Sequence, residues 1–191
     1  GSDNTRAHDE KSGKLLWIAR QRLDGRAPEG FVLSADGTLF IPYDGTLYAL
    51  QESTGPDAEA PWPTAFQNHR NTNRAGDQQN VAPNKDPSLK GRTKPPHRKW
   101  VYEGMGSSLE SHPPIIDENG DVYIESKGSI HKIKSNGVLA WKIEQEGKEF
   151  HGHERPIINS KGEIFSTNAG ILNKTDSLNG NSKLGIHKTT M

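Results

Sequence analysis

Cysteine is absent from the 191 residues. That excludes a disulfide framework and any thiolate chemistry, and it leaves the redox compartment open. Apolar residues are scarce as well: hydrophobic types make up 30% of the chain, and Leu, Ile, Val and Phe together number 36. Such a content borders on that of disordered chains. However, 24 basic residues balance 24 acidic ones, and a chain without net charge does not repel itself into a coil. The same balance gives no reason to expect a polyanionic partner, so no nucleic-acid binding is expected. No apolar run is long enough to span a membrane, so no membrane span is expected. No signal peptide is expected within these residues. The opening Gly1-Ser2 reads as a cleavage scar, consistent with a native signal having been trimmed.

What apolar content there is falls in two flanks. Between Gln51 and His97 only Phe66, Val81 and Leu89 belong to the Leu, Ile, Val and Phe set. The flanks repeat a pattern: "EGFVLSADGTLFIPYDGTLYAL", "HPPIIDENGDVYIESKGSIHKI" and "ERPIINSKGEIFSTNAGILNKT" align in register. Trp17 precedes Gly45 by 28 positions, Trp100 precedes Gly128 by 28, and Trp141 precedes Gly170 by 29. Trp100 and Trp141 are 41 residues apart, and Trp17 and Trp100 are 83 apart, almost two such periods.

Each unit reads as a small antiparallel meander. A short apolar stretch, such as Pro114-Ile115-Ile116, meets a glycine turn that supplies the positive φ of a tight hairpin. An alternating strand follows (Thr38 to Ile41, Asp121 to Ile124, Glu163 to Phe165), then a second glycine turn at Gly45, Gly128 or Gly170. The next strand closes on Gly55, Gly137 or Gly180, and a tryptophan opens the last one. Four short strands in about forty residues is the size of one propeller blade. Helical periodicity is missing throughout, so the expected fold is all-β. It is a β-propeller type with four-stranded antiparallel blades, about three to four of them, in an incomplete or oligomer-completed ring.

"GTLYALQESTG" (45–55), "HDEKSGKLLW" (8–17) and "KIKSNGVLAW" (132–141) resemble the PQQ-like, or quinoprotein-like, β-propeller repeat, with its pattern close to G-x-L-Y-A-L-x-x-x-T-G-x-x-x-W. The resemblance covers about residues 8–55 and 98–182. It implies that the indoles of Trp17, Trp100 and Trp141 dock on the neighbouring blade, with Gly45, Gly128 and Gly170 as structural turn positions. It also implies a periplasmic or extracellular location. Members of the family include lipoprotein scaffolds of outer-membrane assembly and many secreted bacterial proteins.

The resulting division is residues 1–55, a blade with the tail of a preceding one; 56–97, a Pro-, Asn- and base-rich linker or degenerate blade; and 98–191, two further blades with a C-terminal tail. "PWPTAFQNHRNTNRAG" resembles a segment that flanks the first or last blade in many such proteins, with Trp62 and Phe66 as its anchor. Six Lys or Arg face one acid between Lys85 and Lys99, but no aromatic interleaves with them to stack bases. A solvated linker accounts for that run. The stretch "GMGSS" (104–108) reads as a flexible connection, and the tail after Gly180 as a segment that frays or pairs near the start.

Candidate chemistry is sparse. "FHGHERP" (150–156) offers His151 and His153 as weak metal ligands, which share a face of an extended strand while Glu154 points away. A third ligand would have to come from elsewhere. Quinone-dependent relatives use PQQ, a calcium and an aspartate base, and many carry a vicinal disulfide that this chain lacks. The acids here, Asp36, Asp44, Glu118 and Asp121, fall in hairpin turns, where turn geometry explains them. No residue maps onto the family's cofactor site. The expectation is therefore a non-catalytic binding or scaffold module for protein or polysaccharide, without a cofactor. A fragment or relative of a PQQ-dependent dehydrogenase is the alternative. Tyr43, Tyr102, Trp62 and Phe66 are the candidate binding aromatics, and a homo-oligomer is expected where it completes the ring.

Overall fold

The computed structural model describes residues 4–8, 12–20, 30–34, 36–43, 45–51, 96–106, 112–126, 128–144, 156–159, 161–168, 171–176, 178–180 and 182–186. All regular structure among them is strand. β1 (Asn4–His8) and β2 (Leu15–Arg20) form a two-stranded antiparallel sheet. The first four-stranded sheet contains β3 (Val32–Leu33), β4 (Thr38–Tyr43), β5 (Thr46–Gln51) and β6 (His97–Tyr102). The second contains β7 (Ile115–Ile116), β8 (Val122–Ser126), β9 (Ser129–Ile133) and β10 (Leu139–Glu144). The third contains β11 (Ile157–Ile158), β12 (Glu163–Asn168), β13 (Ile171–Asp176) and β14 (Ser182–Ile186). Within each sheet the strands lie in chain order, every neighbour antiparallel. That is the meander of a propeller blade.

The first hairpin of every sheet is built the same way. Gly37, Gly120 and Gly162 donate their amides to the carbonyls of Ser34, Asp117 and Asn159, three residues earlier, at 3.0–3.1 Å. The amides of Ser34, Asp117 and Asn159 in turn bond the carbonyls of Thr38, Asp121 and Glu163. This is a three-residue loop that ends on a residue with positive φ, and the three glycines have φ of 80°, 79° and 74°. The residue that opens each loop also caps it with its side chain. Asp117 Oδ1 accepts the amides of Asn119 and Asp121 at 2.9 and 3.0 Å, and Asn159 Oδ1 accepts those of Lys161 and Glu163 at the same distances. Ser34 Oγ accepts the Thr38 amide at 3.0 Å.

The core lies between the sheets. Val32, Phe40, Leu47 and Ala49 of the first sheet meet Ile116, Val122, Ile124 and Ile133 of the second. Ile115, Tyr123 and Ile130, which alternate with that set, face Ile158 and Ile164 of the third. Period-two alternation thus sends successive residues of the second sheet into two different interfaces, and β8 and β9 are buried along their whole length. Each isoleucine so buried contributes about 2 kcal/mol relative to exposure.

Three local features depart from what the sequence suggests. β6 pairs with β5, so the long stretch 52–96 joins two adjacent strands of one sheet. Met105, in the stretch read as a flexible connection, is buried in the first interface; its amide bonds the Gly45 carbonyl at 3.3 Å and its carbonyl accepts Ser126 Oγ at 3.2 Å. The tail after Gly180 supplies β14, which pairs with β13 through Thr175–Ser182, Lys174–Lys183 and Leu172–Ile186. Strand pairing uses the backbone, so a segment poor in apolar side chains still completes the sheet.

Candidate binding cleft between the first two sheets

The capped turns Ser34–Thr38 and Asp117–Asp121 stand beside one another where the first and second sheets meet. Between them lies a cleft of about 280 Å³. Buried Phe40 and Ile116 supply its apolar part; Ser34, Asp36, Thr38 and Lys99 line it from the first sheet, and Asp117, Glu118, Asn119 and Ser135 from the second.

Its polar groups are held in place. Lys99 reaches from β6 to donate to Thr38 Oγ1 at 2.9 Å and to pair with Asp36 Oδ2 at 3.2 Å. Ser34 Oγ donates to Asp36 Oδ1, and the Thr38 amide does so at 3.1 Å. Burial opposes ionisation of Asp36, yet the hydrogen bonds from Ser34 and Thr38 and the Lys99 ammonium outweigh it and hold the carboxyl below the usual carboxylate range. Asp117 has a structural role: Tyr123 donates to its Oδ2 at 2.7 Å, while Oδ1 caps the turn. Behind it, Lys132 pairs with Asp121 at 3.1 Å and lies 3.8 Å from Asp117.

Among the described residues that line the cleft there is no histidine, and the hydroxyls of Ser34 and Thr38 are bonded to Asp36 and Lys99 of the same sheet. The arrangement offers fixed anionic and hydrogen-bonding groups over an apolar base, which suits recognition of a ligand. Among the described residues no group of three or more His, Asp or Glu is placed to hold a metal ion.

The residues singled out from sequence are dispersed. Trp100 Nε1 donates to the Ser135 carbonyl at 2.9 Å, and its ring lies 5.5 Å from Phe40. Its indole covers Gly137 of the second sheet, while that of Trp141, 5.9 Å from Tyr123, covers Gly180 of the third. Trp17 is buried on β2. Gly45 and Gly128 occupy the second hairpins with φ of 72° and 70°. Tyr43 is buried and presents no aromatic face to solvent. Tyr102 is half-buried, its hydroxyl 2.8 Å from His131 Nδ1 across the first interface. Trp62, Phe66, Gly170, His151 and His153 lie outside the described residues.

Sequence reasoning passed over Lys99 and the turn-opening residues Ser34, Asp117 and Asn159. A signal for the latter exists: Ser, Asp or Asn three places before a turn glycine, the residue types that cap such loops. Nothing local marks Lys99, whose partner is 63 residues away.

No family model matches the chain, and no curated protein matches it by sequence. Among solved structures it is similar to BamB from Moraxella catarrhalis, with a TM-score of 0.57 and 15% identity over 97% of this chain and 45% of that one. It also aligns with a protein of unknown function from Bacteroides caccae, with a TM-score of 0.48 and 12% identity over 97% of this chain and 55% of that one. The chain thus spans less than half the length of BamB. The likeness to BamB shows the fold: the chain is an all-β, propeller-type stack of four-stranded antiparallel sheets, with no closed ring among the described residues.

Proposed function

We propose that this chain is a non-catalytic β-propeller binding module of the PQQ-like repeat type, acting on a protein partner in the bacterial envelope or outside the cell. The observation that carries this reading is the cleft between the first two sheets, where capped, rigid turns hold an ionised Asp36 beside polar groups and buried Phe40. Loops fixed on a stiff frame are suited to recognition. The charge and shape favour a polar peptide segment carrying a lysine or arginine, whose head meets the carboxylates while its methylenes lie on Phe40 and Ile116. The repeat pattern and the likeness in fold support the envelope location, because the resemblance includes envelope scaffolds.

The test is a titration followed by amide NMR with three probes: a Lys/Arg-bearing peptide, its Glu-substituted counterpart and a neutral oligosaccharide. Cationic peptide alone is expected to shift the amides of Thr38, Asn119 and Ser135, and Asp36→Asn with Glu118→Gln is expected to abolish the shift. Response to the oligosaccharide alone would move the reading to glycan binding. A calcium-dependent quinone spectrum after incubation with PQQ would overturn the non-catalytic assignment.

A further inference from the structure

β2, β6 and β10 share one irregularity. Trp17 pairs with Ala7 but Leu15 with His8, Trp100 with Ala49 but Arg98 with Leu50, and Trp141 with Lys132 but Leu139 with Ile133. The residue before each tryptophan is therefore the extra one of a β-bulge, a device that re-aims a side chain. These residues are Leu16, Lys99 and Ala140. Of the three, only Lys99 brings a charge, and it lines the cleft.

Lys99 also takes over a task that another strand performs elsewhere. In the second and third sheets a lysine pairs with the ring-bearing residue of the neighbouring strand, Lys132 with Tyr123 and Lys174 with Phe165. Their ammoniums lie over those rings at 5.2 and 6.0 Å and pair with the first-hairpin acids Asp121 and Glu163. In the first sheet the residue opposite Phe40 is Ala49, and the ammonium comes instead from Lys99 on β6, which pairs with Asp36. Lys132 reaches two acids with a side chain 9% exposed, whereas those of Lys99 and Asp36 are 29% and 57% exposed. An ion pair so open to solvent is weak enough to exchange.

We propose that Lys99 is the specificity-determining residue of the cleft: its tethered ammonium holds Asp36 until a ligand's guanidinium displaces it, so the cleft selects arginine over lysine. This rests on the reading of the cleft as a site for a basic segment. Lys99 is the one cation among the described residues that line it. A lysine that displaces Lys99 from Asp36 replaces one point charge by another and gains little. A guanidinium carries five donors in a planar fork, so it keeps donors for a second lining acceptor such as Glu118.

Calorimetric titration of the full chain tests this with two peptides that differ only in carrying one arginine or one lysine. The proteins are wild type, Lys99→Met and, as a charge control on the third sheet, Lys161→Met. Wild type is expected to bind the arginine peptide about fivefold more tightly. Lys99→Met keeps the methylene stem and removes the competing charge. The lysine peptide is then expected to bind about fivefold more tightly than to wild type, and the preference for arginine to narrow. A gain of this kind is not what a merely structural loss produces. Lys161→Met is expected to bind as wild type does. Wild-type binding without preference, or a Lys99→Met protein that binds as Lys161→Met does, overturns the inference and leaves the reading of the cleft standing. Weaker binding by Lys99→Met also overturns it, because Lys99 is then a contact of the ligand. Absence of binding by all three proteins overturns that reading and this inference together.

Discussion

The indole of Trp100, on the first sheet, lies so close over Gly137 of the second that a Cβ on that glycine would sit 2.8 Å from the indole Cγ. Trp141 repeats the relationship one sheet further on, where a Cβ on Gly180 would come within 3.1 Å of its Cδ2. The two sheets at each junction are joined by a ring that packs against the apolar core and lies close over a glycine of the next sheet.

Gly137→Ala is therefore doubly unfavourable. The backbone has φ of 89°, where an L side chain is strained by about 1–3 kcal/mol, and the new methyl displaces the indole at a further cost of about 1–3 kcal/mol. A loss of about 2–6 kcal/mol in urea-unfolding free energy is expected. Gly13→Ala has open space around it and φ of 67°, so only the strain remains and the loss is expected to be smaller.

Trp100→Phe keeps a ring over Gly137 but removes the donor to the Ser135 carbonyl. That carbonyl is near solvent and can rebond to water, so a loss of about 1 kcal/mol is expected. Trp100→Ala also removes the packing on Phe40, with an expected cost of about 3 kcal/mol or more. Denaturant midpoints of the two variants separate these contributions.

His131 makes stability depend on pH. Ser129 Oγ already donates to the Ser126 carbonyl, so it accepts from His131 Nε2–H, and Nδ1 is left to accept from the Tyr102 hydroxyl. Burial, with the Lys142 ammonium, outweighs nearby Glu144 and pushes the imidazole down to about 4. The unfolded chain, with an ordinary value near 6.5, binds this proton more readily between the two. The stabilisation is therefore fully present above about pH 6.5 and declines as pH falls toward 4, with a slope of up to about 1.4 kcal/mol per pH unit. His131→Gln is expected to flatten that part of the unfolding-versus-pH profile. An unchanged profile would show that the ring titrates freely.

Asp117→Ala is expected to be the most damaging turn substitution. It removes the acceptor of two turn amides and of the Tyr123 hydroxyl, and takes one carboxylate from buried Lys132. A cost of about 3 kcal/mol is expected. Ser34→Ala, in the equivalent place, loses the bond from the Thr38 amide and one donor to the Asp36 carboxylate, which Lys99 still pairs, and is expected to cost less, about 1–2 kcal/mol. Thermal unfolding of the pair gives the order.

Much of this architecture was legible in the chain, for a local reason. Gly37, Gly120 and Gly162 each serve one turn whose geometry involves five consecutive residues, so the demand for positive φ leaves its mark at a regular spacing. Alternation in β8 is equally local. The binding aromatics were not legible: a tyrosine reads alike whether buried as Tyr43 is, or bonded across an interface as Tyr102 is. β14 was missed because backbone pairing leaves no apolar pattern to read.

By itself the sequence determined the repeating unit, since turn stereochemistry and the two-residue period of a strand act over neighbouring positions. Only the tertiary structure decided which faces meet. Equivalent residues such as Ile115 and Ile157 have the same local sequence role, but one is enclosed and the other open. Their difference comes from what lies across the interface, and so does the cleft at Asp36, whose walls are turns 83 residues apart in the chain. Burial and charge pairing depend on contacts remote in sequence, and no local pattern encodes them.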